Sequence, residues 1–243
     1  MRAPGLPVLA GRRASDVLKP WILLAEAEAP DGERLTLHRR AHEFRIDSGG
    51  RDLMSSEDDG SSRALAELGC AGLPGDRDTL VLVGGLGMGF TLRAALDATG
   101  SRALVEVAEF VPAVAQWNEG PLAQLAGAPL LDPRAELRLG DVGDFIRAAD
   151  RDYDAILLDV DNGPTAHAHQ ANDSLYSTEG IAAARAALRP GGVFGVWSFG
   201  DDARFTRRLE RGGFAVQVHK VAGSRKGRGK HHRIWIARRQ ERR

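Results

Sequence analysis

Leu80-Val81-Leu82-Val83-Gly84-Gly85-Leu86-Gly87-Met88-Gly89 is the stretch that decides the fold. Its four leading apolar residues read as a buried strand, and the glycines open a helical pattern that runs through Ala98. Glycines between a strand and a helix let the backbone approach a ligand closely, with helix N–H groups facing it. Such turns also join strands to helices for steric reasons alone, so the motif needs company.

The company follows downstream. A second strand is predicted over 103–107, and Glu106 near its end lies about 20 residues past the glycines, where an acid hydrogen-bonds ribose hydroxyls. A helix is predicted over 110–118. A third strand over 136–139 leads to Asp141, where a carboxylate either accepts from an exocyclic amine such as that of adenine or caps the helix over 142–149. Both readings stand. The continuous apolar strand 153–160 brings Asp159 and Asp161 to its carboxyl end, the reactive rim of an open α/β sheet. The Asp-Asn-Gly-Pro segment there is also a turn signal. A helix over 177–188 stops at Pro190-Gly191-Gly192, followed by a strand over 193–199 and a helix over 201–211. Two alternating strands, 214–221 and 233–237, flank a basic loop.

Unbroken apolar strands alternating with helices predict an α/β fold. We expect a doubly wound, mostly parallel Rossmann-like sheet with an antiparallel final strand, a pattern that resembles the class I methyltransferase-like fold on the motifs gathered below. Upstream, Trp21 to Met54 alternates in short runs broken by Pro30-Asp31-Gly32 and Ser48-Gly49-Gly50, the pattern of a small antiparallel β unit. Three parts are expected: a flexible leader over 1–19, the β unit over 20–62, and a nucleoside-binding domain over 63–243. Ser61 or Ser62 is the expected cap of a helix through Leu68.

Composition removes several classes. Of 243 residues, 43% are hydrophobic and 27% charged, too apolar for a disordered chain. No apolar run approaches the roughly 18 residues of a membrane-spanning helix. The single cysteine, Cys70, forms no internal disulfide and makes a reducing cytoplasm the simplest expectation. Charge balances at 33 basic and 33 acidic residues, but the last 24 residues hold ten Lys and Arg against Glu241 alone. The basic run 224–232 has no interleaved aromatic residue, so a solvated hairpin loop is expected rather than a nucleic-acid contact. His167 and His169 have no companion ligands, and no metal is expected. Tyr176 and Trp197 either wall a pocket or belong to the core. A homodimer is left open.

The ordered set Leu82-Val83-Gly84-Gly85, Leu104-Val105-Glu106-Val107, Gly140-Asp141, Ile156-Leu157-Leu158-Asp159, Gly163-Pro164, Leu175-Tyr176-Ser177 and Leu188-Arg189-Pro190-Gly191-Gly192 resembles the spermidine/spermine synthase family of polyamine aminopropyltransferases. That family lies within the class I S-adenosylmethionine-dependent superfamily. The resemblance implies a transferase of polyamine biosynthesis that uses decarboxylated S-adenosylmethionine as co-substrate, a small amine as acceptor, and no metal. Gly84, Gly85, Gly87, Gly89, Glu106, Val107, Asp141 and Val142 would hold the donor. Asp159 would bind and deprotonate the amine, assisted by Asp161, with Glu57, Asp58 and Tyr176 contacting the substrate. Two departures stand out: the glycine loop carries no acid where the family has one, and Ser61, Ser62 and Arg63 stand where Tyr and His are expected. These departures keep two other readings open: an S-adenosylmethionine-dependent methyltransferase of a small molecule, and a non-catalytic relative of the fold.

Overall fold

The computed structural model describes residues 19–75, 77–160, 164, 174–224 and 230–241. Four strands come first: β1 (Ile22–Glu28), β2 (Arg34–Arg40), β3 (Glu43–Ser48) and β4 (Arg51–Ser55), an antiparallel meander in sequence order. The β3–β4 turn pairs Ser48 with Arg51 across Gly49 and Gly50, at φ 55° and 76°. Two successive positive φ values match the twist of a two-residue hairpin, and glycine adopts them without strain. Leu35, Leu37 and Ile46 on the inner face are at most 5% exposed. They join the same apolar cluster as Val81, Val83 and Leu157, so the small sheet has no core of its own.

The second sheet contains β5 (Thr79–Gly84), β6 (Ala103–Glu109), β7 (Ala135–Leu139), β8 (Tyr153–Leu158), β9 (Leu188–Ser198), β10 (Phe214–Ala222) and β11 (His231–Arg239). Its spatial order is β10-β11-β9-β8-β5-β6-β7. All neighbours run parallel except β11, which is antiparallel to both β9 and β10. The expected α/β architecture, parallel sheet and antiparallel final strand are therefore present. Strand order reverses between β5 and β8. That switch point opens a crevice at their carboxyl ends, next to Gly84 and Asp159.

Helices cover both faces: α1 (Gly60–Cys70), α2 (Phe90–Ala98), α3 (Pro112–Glu119), α4 (Val142–Ala148), α5 (Thr178–Ala187) and α6 (Ala203–Arg211), with a 3-10 turn at Pro129–Leu131. Helix α1 packs on the sheet because Gly69 has no side chain. A Cβ there would stand 2.3 Å from Leu157 Cδ2. At the opposite end of the strands, buried Asp154 accepts from Arg77, from Arg189 at 2.7 Å and from the Leu80 N–H at 2.9 Å. This carboxylate is compensated on every side, which makes it a structural group.

Three local expectations are corrected. Helix α1 begins at Gly60, so Ser61 and Ser62 lie inside it rather than capping it. Asp59 holds the N-cap position, and its carboxylate pairs with Arg63 at 2.8 Å. Pro190-Gly191-Gly192 lies inside β9, bulged between the partners of Tyr153 and Ala155, rather than ending a helix. Strand β6 runs two residues past Val107, to Glu109. The leader residues 1–18 lie outside the described residues, as do Asp161, His167, His169 and loop residues 225–229.

Candidate functional site

Two hollows meet at the carboxyl ends of β5 and β8. The first is lined by the glycine loop at Gly85 and Gly87, by Ala108 to Val111 after β6, and by Gly140, Asp141 and Val142 after β7. The β1–β2 hairpin closes it with Asp31 and Glu33. Gly85 is at φ 90°, and a Cβ there would come within 2.6 Å of the Asp159 carbonyl oxygen. Only glycine lets the β5 loop lie that close to β8.

The acid at the end of β6 is Glu109. It is 6% exposed, its Oε2 accepts from the Leu86 N–H at 3.0 Å and its Oε1 from the Val111 N–H at 2.8 Å. Burial pushes its pKa up, while the backbone N–H groups of Val111, Leu86, Gly87 and Phe110 pull the other way. Glu106, expected in this place, does not line the hollow. Glu106 lies three residues short of the strand end, where its Oε2 accepts from the Tyr153 hydroxyl at 2.7 Å and from Arg138 at 2.9 Å. Its neighbour Val107 is fully buried in the core. Spacing from the glycines fits either acid; the true length of β6 separates them.

Asp141 is the N-cap of α4 and also lines the first hollow. Its Oδ1 caps α4 by accepting from the Gly143 N–H at 2.6 Å, and the residue lines the first hollow with Val142. Gly84 and Gly89 line neither hollow. Gly84 is buried against Leu158 and Val142, and Gly89, at φ 81°, lies against Asn118 and Pro129.

The second hollow is bounded by Asp52, Asp58, Ser61, Ser62, Phe90 and Thr91 on one side. Trp197, Phe199, Lys230 and His232 bound the other. Trp197 lies against Phe199 and His232 with ring centroids 4.6 and 4.9 Å away. His232 is 6% exposed and burial lowers its pKa, which favours the neutral imidazole. Burial also raises the pKa of Asp52 against the opposing pull of Arg45. Glu57 is exposed and lines neither hollow. Tyr176 is 4% exposed and meets Phe205 edge-on at 5.7 Å, so it belongs to the core.

Asp159 belongs to both hollows, with Leu53, Met54, Gly85, Gly87 and Val160. Its carboxylate accepts from the Thr91 hydroxyl and interacts with Ser62. Burial raises its pKa, and those two hydroxyls offset part of the rise. Its backbone N–H donates to the Gly84 carbonyl at 2.9 Å, fixing it beside the glycine loop. Gly85, Glu109, Asp141 and Asp159 therefore line one hollow.

Comparison with solved structures places this architecture. A spermidine synthase in complex with the transition-state analogue AdoDATO superposes with a TM-score of 0.68 at 18% identity, covering 89% of this chain and 72% of that one. The chain has the spermidine synthase fold. The spermidine synthase of Thermotoga maritima matches with the same TM-score and coverage at 19% identity. A probable spermidine synthase from Corynebacterium glutamicum matches with a TM-score of 0.61 at 16% identity, covering 88% of this chain and 79% of that one. No family model and no curated protein sequence matches the chain. Among the described residues, no helix is long and apolar enough to cross a membrane, and no cluster of His, Cys, Asp or Glu is arranged to hold a metal ion.

Sequence reasoning missed Asp31, Glu33, Asp52, Glu109 and His232. His232 carried a signal, because it shares the two-residue period of Ile234 and Ile236 on β11. Asp31 and Glu33 read only as turn residues, since nothing local shows what a hairpin tip will cover.

Proposed function

We propose that this chain is a spermidine synthase-like transferase that moves an aminopropyl group from decarboxylated S-adenosylmethionine to a small amine. The observation that carries the reading is the position of Asp159 on the wall shared by two hollows of different character. The first is lined by Asp31, Glu33, Glu109, Asp141 and Asp159 and, among the described residues, by no Lys, Arg or His. Such a lining favours a cationic nucleoside over one bearing a carboxylate. Glu109 holds the ribose hydroxyls, and Asp141 and Val142 face the base.

The second hollow receives the acceptor. Asp52 and Asp58 attract an ammonium group, and the Trp197 ring offers it a π face. In the transfer, the neutral amine nitrogen attacks the carbon beside the sulfonium. A C–N bond forms, the C–S bond breaks, and its electron pair returns to sulfur as a thioether. The nitrogen's surplus proton passes to Asp159. The donor already carries its leaving group, so the protein's contribution is orientation, amine deprotonation and exclusion of water.

The test is incubation with decarboxylated S-adenosylmethionine and putrescine, then with longer and shorter diamines, following methylthioadenosine. Amine-dependent release supports the reading. No release with any amine removes it. Methyl transfer from S-adenosylmethionine to a small molecule would put the methyltransferase reading in its place.

A further inference from the structure

Away from both hollows, α5, α6 and the end of β11 enclose a groove lined by Arg185, Arg204, Arg207, Arg208 and Arg211, with Glu241 as the one acid among the described residues that line it. Several arginines elsewhere are matched to carboxylates, among them Arg63 to Asp59, Arg138 to Glu106, and Arg77 and Arg189 to Asp154. In the groove, Arg208 donates to the Tyr176 carbonyl and Arg185 to the Gln240 carbonyl at 3.3 Å, which fixes two guanidinium groups without neutralising them. The side chains of Arg204, Arg207 and Arg211 make no ion pair or hydrogen bond with any described residue.

Helix stability does not explain this stripe. Positions 204, 207, 208 and 211 share one helix face, and like charges at such spacing destabilise a helix. Arg208 and Arg211 sit in the last turn, where the helix dipole favours cations. Arg204 sits in the first turn, where the dipole opposes a positive charge. Four cations thus stand along about 10 Å of one helix, with Arg185 facing them from the next. Guanidinium forks bind phosphate oxygens two at a time. Among the described residues, the lining has no aromatic side chain on which bases would stack, and only Ile181 and Ala182 as apolar floor.

We propose that this groove is a binding site for a linear oligophosphate, a short run of phosphate groups presented in a row. The proposal is independent of the reading of the two hollows. Isothermal titration with inorganic tripolyphosphate at near-physiological salt tests it on the full chain, with orthophosphate and a short duplex DNA as comparison probes. The expected result is tripolyphosphate binding at least tenfold tighter than orthophosphate. A variant with Arg204→Gln, Arg207→Gln and Arg211→Gln should lose at least tenfold in that affinity while its unliganded melting temperature is no lower than the parent's. A variant with Arg225→Gln, Lys226→Gln and Arg228→Gln in the β10–β11 loop should bind as the parent does. No tripolyphosphate binding, equal binding by parent and groove variant, or binding of duplex DNA alone would each overturn the proposal. If the groove variant melts lower, the single Arg204→Gln substitution decides: unchanged affinity overturns it, and a loss of severalfold supports it.

Discussion

Asp159 carries the heaviest demand of any single residue, because it must be ionised in a place that disfavours charge. Burial raises its folded pKa above the unfolded value of about 3.9. The protonated form is thus favoured by folding, and its contribution to stability is lost as pH rises through the raised folded pKa. Asp159→Asn should therefore raise the melting temperature near neutral pH and change it little in acid, while lowering transfer by about 100-fold or more. Thermal melts across pH and a methylthioadenosine assay read the two effects; a variant that melts lower and keeps its rate contradicts the assignment. In the parent, transfer should rise with pH as Asp159 ionises. The two acids of β6 should separate just as sharply. Glu109→Gln should weaken donor binding by about tenfold or more, the scale of a hydrogen bond to a charged group. Glu106→Gln should leave donor affinity unchanged, because its partners are Tyr153 and Arg138. Titration of the donor against both variants checks this. The choice between them was not legible in the sequence, since Ala108-Glu109 continues a strand that Val107 seemed to complete.

At the scale of elements, the strands and helices of the large sheet were legible because apolar runs and helical periods are local. What was not legible is which element covers which. The β1–β2 hairpin places Asp31 and Glu33 over the first hollow, a fact of docking between two sheets. Changing both, Asp31→Asn with Glu33→Gln, should reduce affinity for a cationic donor severalfold and leave folding intact, as titration and circular dichroism would show. Intact affinity would remove the hairpin from the site. Helix α1 offers a test of packing. Gly69→Ala puts a methyl group 2.3 Å from Leu157 Cδ2, so it should destabilise by about 1–3 kcal/mol in urea unfolding. A neutral result would mean that α1 lies farther from β8 than described.

For the molecule as a whole, a parallel sheet with its switch point between β5 and β8 gathers the glycine loop, Glu109, Asp141 and Asp159 at one rim. The smaller sheet then closes that rim from outside. Gly85, Asp141 and Asp159 line one hollow, and their order along the chain was enough to bring them there, since each follows a strand of the same parallel sheet. The second hollow was less visible because it is assembled from β4, α1, β9 and β11, which are distant in sequence. A hollow with five acids and, among the described residues, no base makes the central claim measurable. Isothermal titration with decarboxylated S-adenosylmethionine and with S-adenosylmethionine tests it most directly. The account requires the decarboxylated donor to bind at least tenfold tighter, and equal or reversed affinities would contradict it.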